Sequence, residues 1–525
     1  MCGIAVVLGP GEASGVFTGM LAALAPRGER LEAAKWPGLL AGTQRLAIVD
    51  RDRAVQPWTD GRRVLCYNGE LFNYRELAAE LTAGGPGGDT AVLLAAFARW
   101  GEQAVRRFRG EYAFAVAEPR AGRVYVARDP LGVKPLYWAA AGGRLHLASE
   151  IKALVPLGVR VHEVPPGHHG WGTAAGGLEL SPYVDQAAAA QELVEDPAEA
   201  AKLVRAAFED SVRVRVDTDL PVGVIVSGGL DSSLTLLHVR EMHPDCVAFT
   251  VGAPGSEDLH YARRLCADLG VAHEVVELSP GQIGLAAIRE AIAISELTEY
   301  GDIINAVVTV PLFRRVRQAG IKVVLTGDGS DELFGGYAMY DQAGGGARAR
   351  RLFAHKLATL GRTELQRVDR ASMAATVEAR VPFLDPALVE VARRLPMNLK
   401  VRDGQDKWIV RQAFAGLLPG YIRQRPKNPM SHSSGLHERA RLYKPLFARI
   451  HRGLGYDRCA PVRRDFSAVL DACGQDLDLA LAAAEGDYAV REQVRDLAGA
   501  VRWNLAAIAR RPAWPGRPRR DPETA

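Results

Sequence analysis

Residues 222–233 have the sequence VGVIVSGGLDSS, and they decide the fold of the larger part of the chain. Residues 222–226 form a continuous apolar run that predicts a buried β-strand. A glycine-rich turn follows, and a helical stretch is predicted from Leu234. Backbone N–H groups at such a turn and at the N-terminus of a helix bind anions, so the segment predicts a phosphate-binding loop. No Gly-Lys-Ser/Thr follows the turn, which disfavours a Walker loop and γ-phosphate transfer.

The same alternation of strand and helix continues through the middle of the chain. Residues 247–251, 272–278 and 322–325 are apolar strand segments separated by helical stretches. This alternation predicts a parallel sheet covered on both faces, whose ligands lie beyond the carboxyl ends of the strands. The acidic segment 326–337 (TGDGSDELFGGY) follows the last of these strands. We therefore expect it at the same end of the sheet as the glycine-rich turn.

The first 184 residues have a different pattern, in which short alternating strands are broken by Gly, Pro and Asp. The predicted strands are residues 2–8, 64–67, 112–117, 124–127 and 145–148. A hairpin turn is predicted at 119–122, and amphipathic stretches at 15–24 and 89–100 predict helices. This part of the chain is predicted to be a layered domain rich in strands. Residues 185–200 have no strand pattern and are predicted to lead, as a linker, into a helix.

The second residue of the chain is a cysteine. Removal of the initiator Met1 would give Cys2 a free α-amino group, whose ordinary pKa of about 7.7–8.0 suits a general base at neutral pH. An amine beside a thiol is a recognised means of activating such a nucleophile. The other five cysteines include no C-x-x-C pair, so we expect buried thiols rather than a disulfide framework or a zinc site.

Composition narrows the class of protein without identifying a function. The 525 residues carry a net charge of +4, with 48% hydrophobic and 24% charged residues, which is typical of a globular chain. The arginines are scattered, which disfavours nucleic-acid binding. No apolar run approaches the roughly 20 residues of a membrane span, so we expect a cytoplasmic protein with small-molecule substrates and no membrane partner. Residues 510–525 are expected to be disordered, and the helical patterns beyond about residue 442 indicate packing without chemistry.

Several segments near the N-terminus form a known pattern with Cys2. They are Met1-Cys2-Gly3-Ile4, residues 45–50 (RLAIVD), residues 67–70 (YNGE) and Gly88-Asp89. Over about the first 180 residues this order resembles the glutaminase domain of class II amidotransferases, which is an α+β N-terminal nucleophile hydrolase sandwich (αββα). One departure is residues 26–30 (PRGER), where that family usually has His-Arg-Gly-Pro-Asp.

The resemblance implies a role for each matching residue. Cys2 would attack glutamine, while Arg45 and Asp89 would bind its α-carboxylate and α-amino groups. Asn68 and the Gly69 N–H would form the oxyanion hole. The implied glutamine-binding residues are Arg45, Leu46, Ala47, Ile48, Val49, Asn68, Gly69, Glu70 and Asp89.

The glycine-rich loop resembles that of the ATP-pyrophosphatases, which cleave ATP between the α and β phosphates and adenylate a substrate. Residues 249–252 (FTVG), 378–385 (EARVPFLD) and 425–427 (RPK) extend the resemblance to the asparagine synthetase family over most of the chain. The family implies an α/β parallel-sheet ATP-pyrophosphatase domain in which Asp231 and Asp331 hold Mg²⁺ on the pyrophosphate.

The same resemblance implies the remaining site residues of this domain. Asp328 and Lys427 would be catalytic residues beside the adenylate. The implied ATP-binding residues are Ile225, Ser227, Gly228, Gly229, Asp231, Ser232, Val251, Thr326 and Gly327.

Together the two resemblances imply a glutamine-hydrolysing asparagine synthetase. Glutamine would be hydrolysed at Cys2, aspartate would be adenylated with ATP, and ammonia would attack the adenylate through a shielded path. The products would be asparagine, AMP, pyrophosphate and glutamate. The predicted domains are a glutaminase at 1–185, a linker at 186–200, a synthetase domain at 201–509 and the tail at 510–525. The family also implies a possible homodimer.

Three departures leave the acceptor carboxylate open. Asp328 stands where the family commonly has Glu, residues 299–304 (EYGDII) differ from the usual aspartate-binding stretch, and residues 428–433 (NPMSHS) lack the usual Ser-Asp-Gly. An alternative is a paralogous amidotransferase that acts on another carboxylate, in secondary metabolism or polysaccharide tailoring.

Two further alternatives carry less weight. A ring-closing enzyme resembling β-lactam synthetases would not need glutamine, yet the glutaminase residues are intact. A regulatory relative without ligase activity would be expected to have lost Ser227, Asp231 or Asp331, and none is lost.

Overall fold

The structure, a computed structural model, describes residues 1–81, 88–185, 192–343, 346–428, 430–463 and 466–485. The predicted tail at 510–525 and the first part of the predicted linker lie outside these residues. The described chain contains two antiparallel sheets followed by one parallel sheet. No helix in the described segments is long and apolar enough to cross a membrane.

The N-terminal part contains two six-stranded antiparallel sheets. Their strands are β1 (Cys2–Leu8), β2 (Arg30–Trp36), β3 (Leu39–Arg45), β4 (Trp58–Thr59), β5 (Val64–Leu71), β6 (Gly110–Glu118), β7 (Arg123–Arg128), β8 (Tyr137–Ala141), β9 (Arg144–Ala148), β10 (His162–Glu163), β11 (His168–Thr173) and β12 (Gly177–Pro182). The first sheet has the order β10-β8-β9-β1-β3-β2, and the second has the order β12-β11-β7-β6-β5-β4.

The two sheets pack face to face, and helices cover their outer faces. The helices of this part are α1 (Ser14–Ala23), α2 (Tyr74–Glu80) and α3 (Gly88–Trp100). Ile4 and Val6 of β1 pack between the sheets, whereas Ala5 and Val7 pack beneath α1. Since successive side chains of a strand point to opposite faces, β1 is buried on both sides, which explains its continuous apolar sequence. The predicted αββα sandwich is confirmed.

The C-terminal part is built on a five-stranded parallel sheet, which confirms the predicted α/β domain. Its strands are β13 (Val222–Ile225), β14 (Val247–Gly252), β15 (Ala272–Glu277), β16 (Val323–Leu325) and β17 (Glu378–Arg380), in the order β15-β14-β13-β16-β17. The central strand β13 is followed by the glycine-rich turn, and its neighbour β16 is followed by the acidic segment. Because the strands are parallel, both loops lie at the same end of the sheet.

Helices pack around this sheet, and further helices follow its last strand in the sequence. They are α4 (Pro197–Arg215), α5 (Leu230–Met242), α6 (Glu257–Leu269), α7 (Leu285–Ser295), α8 (Tyr300–Gln318), α9 (Ser330–Phe334), α10 (Ala338–Ala343), α11 (Gly346–Thr359), α12 (Glu364–Met373), α13 (Pro386–Arg394), α14 (Met397–Lys400), α15 (Trp408–Ala413), α16 (Gly420–Arg423), α17 (Met430–Ser433), α18 (His437–Arg441), α19 (Phe447–Gly453), α20 (Phe466–Ala472) and α21 (Leu477–Glu485).

One predicted boundary was wrong. We expected the helix after the glycine-rich turn to begin at Leu234, but α5 begins at Leu230. Asp231 and Ser232 therefore belong to the first helical turn, where the Ser232 hydroxyl donates to the Gly229 carbonyl oxygen at 3.2 Å. The shorter loop places these side chains directly at the positive end of the helix dipole.

Candidate active sites

Cys2 lies in a small pocket at the start of β1. The pocket is lined by Met1, Cys2, Arg45, Leu46, Ala47, Ile48, Val49, Ala54, Gln56, Tyr67, Gly69, Glu70, Asp89, Thr90 and Glu378. Every residue that the sequence assigned to glutamine binding is in this group except Asn68, which is buried directly beside it. The structure thus brings together residues from five separate segments of the N-terminal part, with Glu378 from the C-terminal part.

Asn68 and Gly69 have the properties that an oxyanion hole requires. The Asn68 side chain accepts a hydrogen bond from the Cys2 amide at Oδ1, with a distance of 3.0 Å. Its Nδ2 group is buried and has no hydrogen-bond partner among the described residues, so a donor is available beside Cys2. Gly69 has φ +155°, and a Cβ atom there would lie 2.2 Å from the Glu111 carbonyl oxygen, so no other residue fits.

Arg45 and Asp89 both line the pocket. Arg45, at the end of β3, pairs in register with Cys2, and its guanidinium donates to Glu32 at 3.0 Å. Asp89, in the first turn of α3, accepts hydrogen bonds from the Tyr67 hydroxyl at 2.8 Å and the Leu71 amide at 3.2 Å. Burial raises the pKa of Asp89 to about 6, although both hydrogen bonds oppose that shift.

The thiol has a neighbour, Gln56, that the sequence did not reveal. Gln56 Nε2 lies 3.9 Å from Cys2 Sγ, and Gln56 Oε1 accepts from the Tyr67 amide at 2.7 Å. The Met1 amino group donates to Glu378 of β17 at 3.2 Å. Burial raises the pKa of the Cys2 thiol, and the nearby amino group opposes that rise.

Residues 26–30, which depart from the family pattern, dock onto the C-terminal part. Glu29 accepts hydrogen bonds from Arg317 at 2.6 Å and Lys322 at 2.7 Å. The Pro26 carbonyl oxygen accepts from the Thr376 hydroxyl at 2.8 Å. These contacts give the altered residues a structural role at the junction of the two parts.

A second, larger cavity of about 770 Å³ lies at the carboxyl ends of the parallel strands. Its lining includes ten of the residues predicted for adenylation: Ile225, Ser227, Gly229, Asp231, Ser232, Thr326, Gly327, Asp328, Asp331 and Lys427. Gly228 and Val251 are not among the residues that line it. Gly228 has φ +68° and lies against Tyr261, so it shapes the turn. Val251 is buried in β14, in the apolar cluster against which Ile225 packs.

The two predicted metal carboxylates meet at one lysine. Lys407 Nζ contacts both Asp231 and Asp331, at 2.5 and 2.6 Å, and Lys427 Nζ lies 2.6 Å from the second oxygen of Asp331. Although burial disfavours its charge, the two carboxylates raise the pKa of Lys407 above its ordinary value. Lys407 is 176 residues from Asp231 in the sequence, and no motif identified it.

This arrangement fits a magnesium ion that is completed by substrate. Carboxylate oxygens are the ligands that Mg²⁺ prefers, and the ion commonly takes one or two of them together with phosphates and water. Within the part of the chain that the structure describes, no three His, Cys, Asp or Glu side chains converge on one point. Asp231 and Asp331 are therefore the residues that would hold the ion, beside the glycine-rich turn.

Asp328 is held by a buried arginine from a distant helix. Arg367 Nη2, on α12, donates to Asp328 Oδ1 at 2.8 Å, and its Nε lies 4.0 Å from Asp302 on α8. The guanidinium thus bridges two carboxylates that face the cavity. Like Lys407, Arg367 belongs to no motif found in the sequence.

The segments that made the acceptor uncertain lie in the wall of this same cavity. From residues 299–304 the wall includes Glu299, Gly301, Asp302 and Ile304, and from residues 428–433 it includes Asn428, His432 and Ser433. Lys444, Arg463 and Phe466 also line the cavity. Residues beyond about 442, whose helical pattern indicated packing, therefore also contribute to the lining of the cavity.

The six cysteines are all described and are all free thiols. Cys66, Cys246 and Cys266 are buried, as expected, whereas Cys459 and Cys473 are only half-buried. The predicted absence of a disulfide framework agrees with this arrangement.

Comparisons with known proteins match both parts of the chain. The model of the glutamine amidotransferase domain family matches residues 1–166, and that of the asparagine synthase family matches residues 203–347 and 341–453. Asparagine synthetase B [glutamine-hydrolyzing] of Escherichia coli is 32% identical over 428 residues, covering 76% of each chain. Asparagine synthetase [glutamine-hydrolyzing] of Zea mays is 33% identical, covering 83% of this chain and 78% of its own.

Among solved structures, glutamine phosphoribosylpyrophosphate amidotransferase from B. subtilis matches with 17% identity and a TM-score of 0.31. The match covers 62% of this chain and 81% of that one, and it is too distant to bear on function. The family models and the curated relatives instead agree on one assignment over most of the chain. The chain belongs to the glutamine-hydrolysing asparagine synthetase family.

Proposed function

We propose that this protein is a glutamine-hydrolysing asparagine synthetase, which uses ATP and glutamine to convert aspartate into asparagine, AMP, pyrophosphate and glutamate. One observation carries the proposal. The same chain has a buried thiol beside an available amide donor, and a separate cavity in which a glycine-rich turn meets two carboxylates. A nitrogen-releasing site and a carboxylate-activating site are the two halves of this reaction.

In the first half, Cys2 attacks the side-chain amide of glutamine. After removal of Met1, the α-amino group of Cys2 takes the thiol proton and later delivers it to the departing ammonia. Asn68 Nδ2 and the Gly69 N–H stabilise the oxyanion, a contribution of roughly a hundredfold or more for each donor. Water then hydrolyses the thioester to glutamate. Arg45 and Asp89 bind the two charged groups of the substrate backbone.

In the second half, the glycine-rich turn and the first turn of α5 bind the ATP phosphates through Ser227, Gly229 and Ser232. Mg²⁺ held by Asp231 and Asp331 would neutralise charge on the pyrophosphate when it is bound. Lys407 and Lys427 add positive charge beside the same carboxylates. The carboxylate of aspartate attacks the α-phosphate, pyrophosphate leaves, and ammonia then displaces AMP. Asp328, held by Arg367, lies in the cavity where that attack occurs.

The position of Met1 shows how closely the first site lies to the second part of the chain. The Met1 side chain packs with Leu46 and Ile48 of the N-terminal part, and with Val323 and Met373 of the C-terminal part. Removing Met1 would vacate space at this junction, directly beside Cys2. We propose that ammonia leaves the thiol on this side, because free ammonia would be protonated in bulk water.

The proposed function is tested by assaying purified protein with ATP, Mg²⁺ and glutamine, with and without aspartate. We expect pyrophosphate release that depends on aspartate, with asparagine formed in equal amount, because the adenylate and the amide come from one molecule of acceptor. Glutaminase activity without aspartate-dependent pyrophosphate release would contradict aspartate as the acceptor. A panel of other carboxylates would then identify the substrate.

The pH dependence of glutamine use should follow the ionisation of Asp89. Only the carboxylate form can pair with the α-amino group of glutamine, so kcat/KM for glutaminase activity should fall more steeply below about pH 6, in addition to the loss caused by protonation of the Cys2 α-amino group. In Tyr67→Phe the carboxylate loses a hydrogen bond that favours its ionised form, so the fall should begin at higher pH. Tyr125→Phe, which removes a hydroxyl bonded to His169, is the matched control. Identical profiles for all three proteins would contradict the role of Asp89.

A further inference from the structure

Arg27 contacts the backbone of the nucleophile. Its Nε donates to the Cys2 carbonyl oxygen at 3.1 Å. The Arg27 side chain is 1% exposed, so this hydrogen bond is shielded from water. Gly28, the next residue, lies very close to β3. A Cβ atom on Gly28 would be 2.3 Å from the carbonyl carbon of Gln44. The backbone around Arg27 is therefore fixed, and its guanidinium is directed at Cys2.

The guanidinium of Arg27 is held mainly from the C-terminal part. Asp369, on α12, accepts hydrogen bonds from both terminal nitrogens of Arg27. Nη1 donates to Oδ2 at 2.8 Å, and Nη2 donates to Oδ1 at 3.0 Å. Glu150 of the N-terminal part accepts one hydrogen bond from Nη1 at 2.7 Å. A bidentate pair fixes the plane of the guanidinium, which a single contact cannot do. Asp369 therefore determines the orientation of the Arg27 Nε–H group, which donates to the Cys2 carbonyl oxygen.

Asp369 is itself held in place and kept ionised. Arg370 Nη1 donates to Asp369 Oδ2 at 2.8 Å, and Arg370 Nε donates to Glu296 at 3.0 Å. Burial alone would raise the pKa of Asp369, but the guanidinium groups of Arg27 and Arg370 hold it well below its ordinary value. The two guanidinium groups hold the buried Asp369 carboxylate in one geometry. Loss of its charge would leave the buried Arg27 guanidinium without its bidentate partner.

Helix α12 also contacts the adenylation cavity. Arg367, which binds Asp328, is two residues from Asp369 on the same ten-residue helix. The helix that fixes Arg27 is thus part of the wall of the other site. The N-terminal part alone lacks the residue that orients Arg27 against the nucleophile.

We propose that Asp369 is a positioning residue of the glutaminase centre, supplied by the synthetase domain and acting on Cys2 through Arg27. The inference rests on the proposed function, since it assumes that Cys2 hydrolyses glutamine. Asp369 does not touch the substrate pocket, so its loss should change the orientation of the nucleophile and not the binding of glutamine.

The test is Asp369→Asn, which keeps the shape of the side chain and removes its charge. We expect kcat for glutaminase activity to fall on the order of 10- to 100-fold, the scale at which misplacement of a reacting group acts, with KM for glutamine nearly unchanged. Ammonia-dependent synthesis in the same preparation should be retained, which shows that α12 is folded. The matched control is Asp385→Asn, because Asp385 is a buried carboxylate that also joins the two parts, through Arg109 and Arg215.

A double-mutant cycle with Arg27→Gln separates positioning from a general structural effect. If Asp369 acts through Arg27, the double variant should be no slower than Arg27→Gln alone. Additive losses, an unchanged kcat in Asp369→Asn, or an equal loss in Asp385→Asn would overturn the inference. A wild-type protein without glutaminase activity would instead refute the proposed function, so the two failures are distinguishable.

Discussion

Cys2→Ala is expected to abolish glutamine-dependent asparagine formation and to leave ammonia-dependent formation intact. Without the thiol no thioester can form, and loss of a nucleophile commonly lowers kcat by about 10⁴-fold or more. Among the described residues, the adenylation cavity and the pocket around Cys2 have no lining residue in common. Asparagine formation should be measured with glutamine and with ammonium chloride as alternative nitrogen sources.

The control for this variant is Cys66→Ala. Cys66 is a buried thiol on β5, in the same apolar cluster as Cys2, but it does not line the glutamine pocket. It should retain both activities. Equal loss of glutamine- and ammonia-dependent synthesis in Cys2→Ala would show that the two reactions are not carried out at separate sites.

Asp231→Asn is expected to abolish pyrophosphate release with either nitrogen source. Asp231 is one of two carboxylates at the glycine-rich turn, and its side chain is fixed by the Ser330 hydroxyl at 2.7 Å and by Lys407. Removing the charge of Asp231 should weaken Mg²⁺ binding. It also removes one of the two carboxylates that pair with Lys407. A metal contributes several kcal/mol to such a step, so we expect a loss of about 10³-fold.

Asp219→Asn is the matched control for that variant. Asp219 is an exposed carboxylate of the same part of the chain, paired with Arg51 at 2.7 Å and far more accessible than Asp231. It should release pyrophosphate at the wild-type rate. Retained release in Asp231→Asn, with both nitrogen sources, would contradict the role of Asp231 at the phosphates.

Much of the fold followed from local patterns. The central strands β1, β6, β7 and β13 are almost entirely buried. A continuous apolar run predicted β13, whereas β1, β6 and β7 were predicted among the short alternating strands of the first 184 residues. Strand β2 was missed because it is an edge strand whose side chains are mostly exposed, so its sequence, RLEAAKW, has no clear strand pattern. The start of α5 was missed because Asp and Ser side chains favour turns as readily as a first helical turn.

The candidate sites were predictable only where their residues lie in short motifs. Residues 45–49, 68–70 and 227–232 each occupy one loop or strand end, so spacing was informative. Gln56, Lys407 and Asp369 reach their partners across 54, 176 and 342 residues of sequence. No local pattern encodes such contacts, because they depend on tertiary packing. The Gln56 contact lies within the N-terminal part, the Lys407 contact lies within the C-terminal part, and only the Asp369 contact joins the two parts.

The departure at residues 26–30 has a structural explanation that the sequence could not supply. Glu29 stands where the family usually has Pro, and it binds Arg317 and Lys322 of the C-terminal part. The change therefore adds contacts at the junction. The altered segments around Asp328 line the same cavity, so we expect them to act together on the choice of acceptor.

The proposed function requires the transfer of nitrogen from one site to the other inside a single protein. The decisive measurement supplies glutamine labelled with ¹⁵N in its side-chain amide, with ATP, Mg²⁺, aspartate and excess unlabelled ammonium at a pH where little of it is free ammonia. Mass spectrometry of the product gives the origin of the new amide. Asparagine that carries mainly ¹⁵N is the predicted result, and asparagine that carries the unlabelled nitrogen of the solution would contradict the account.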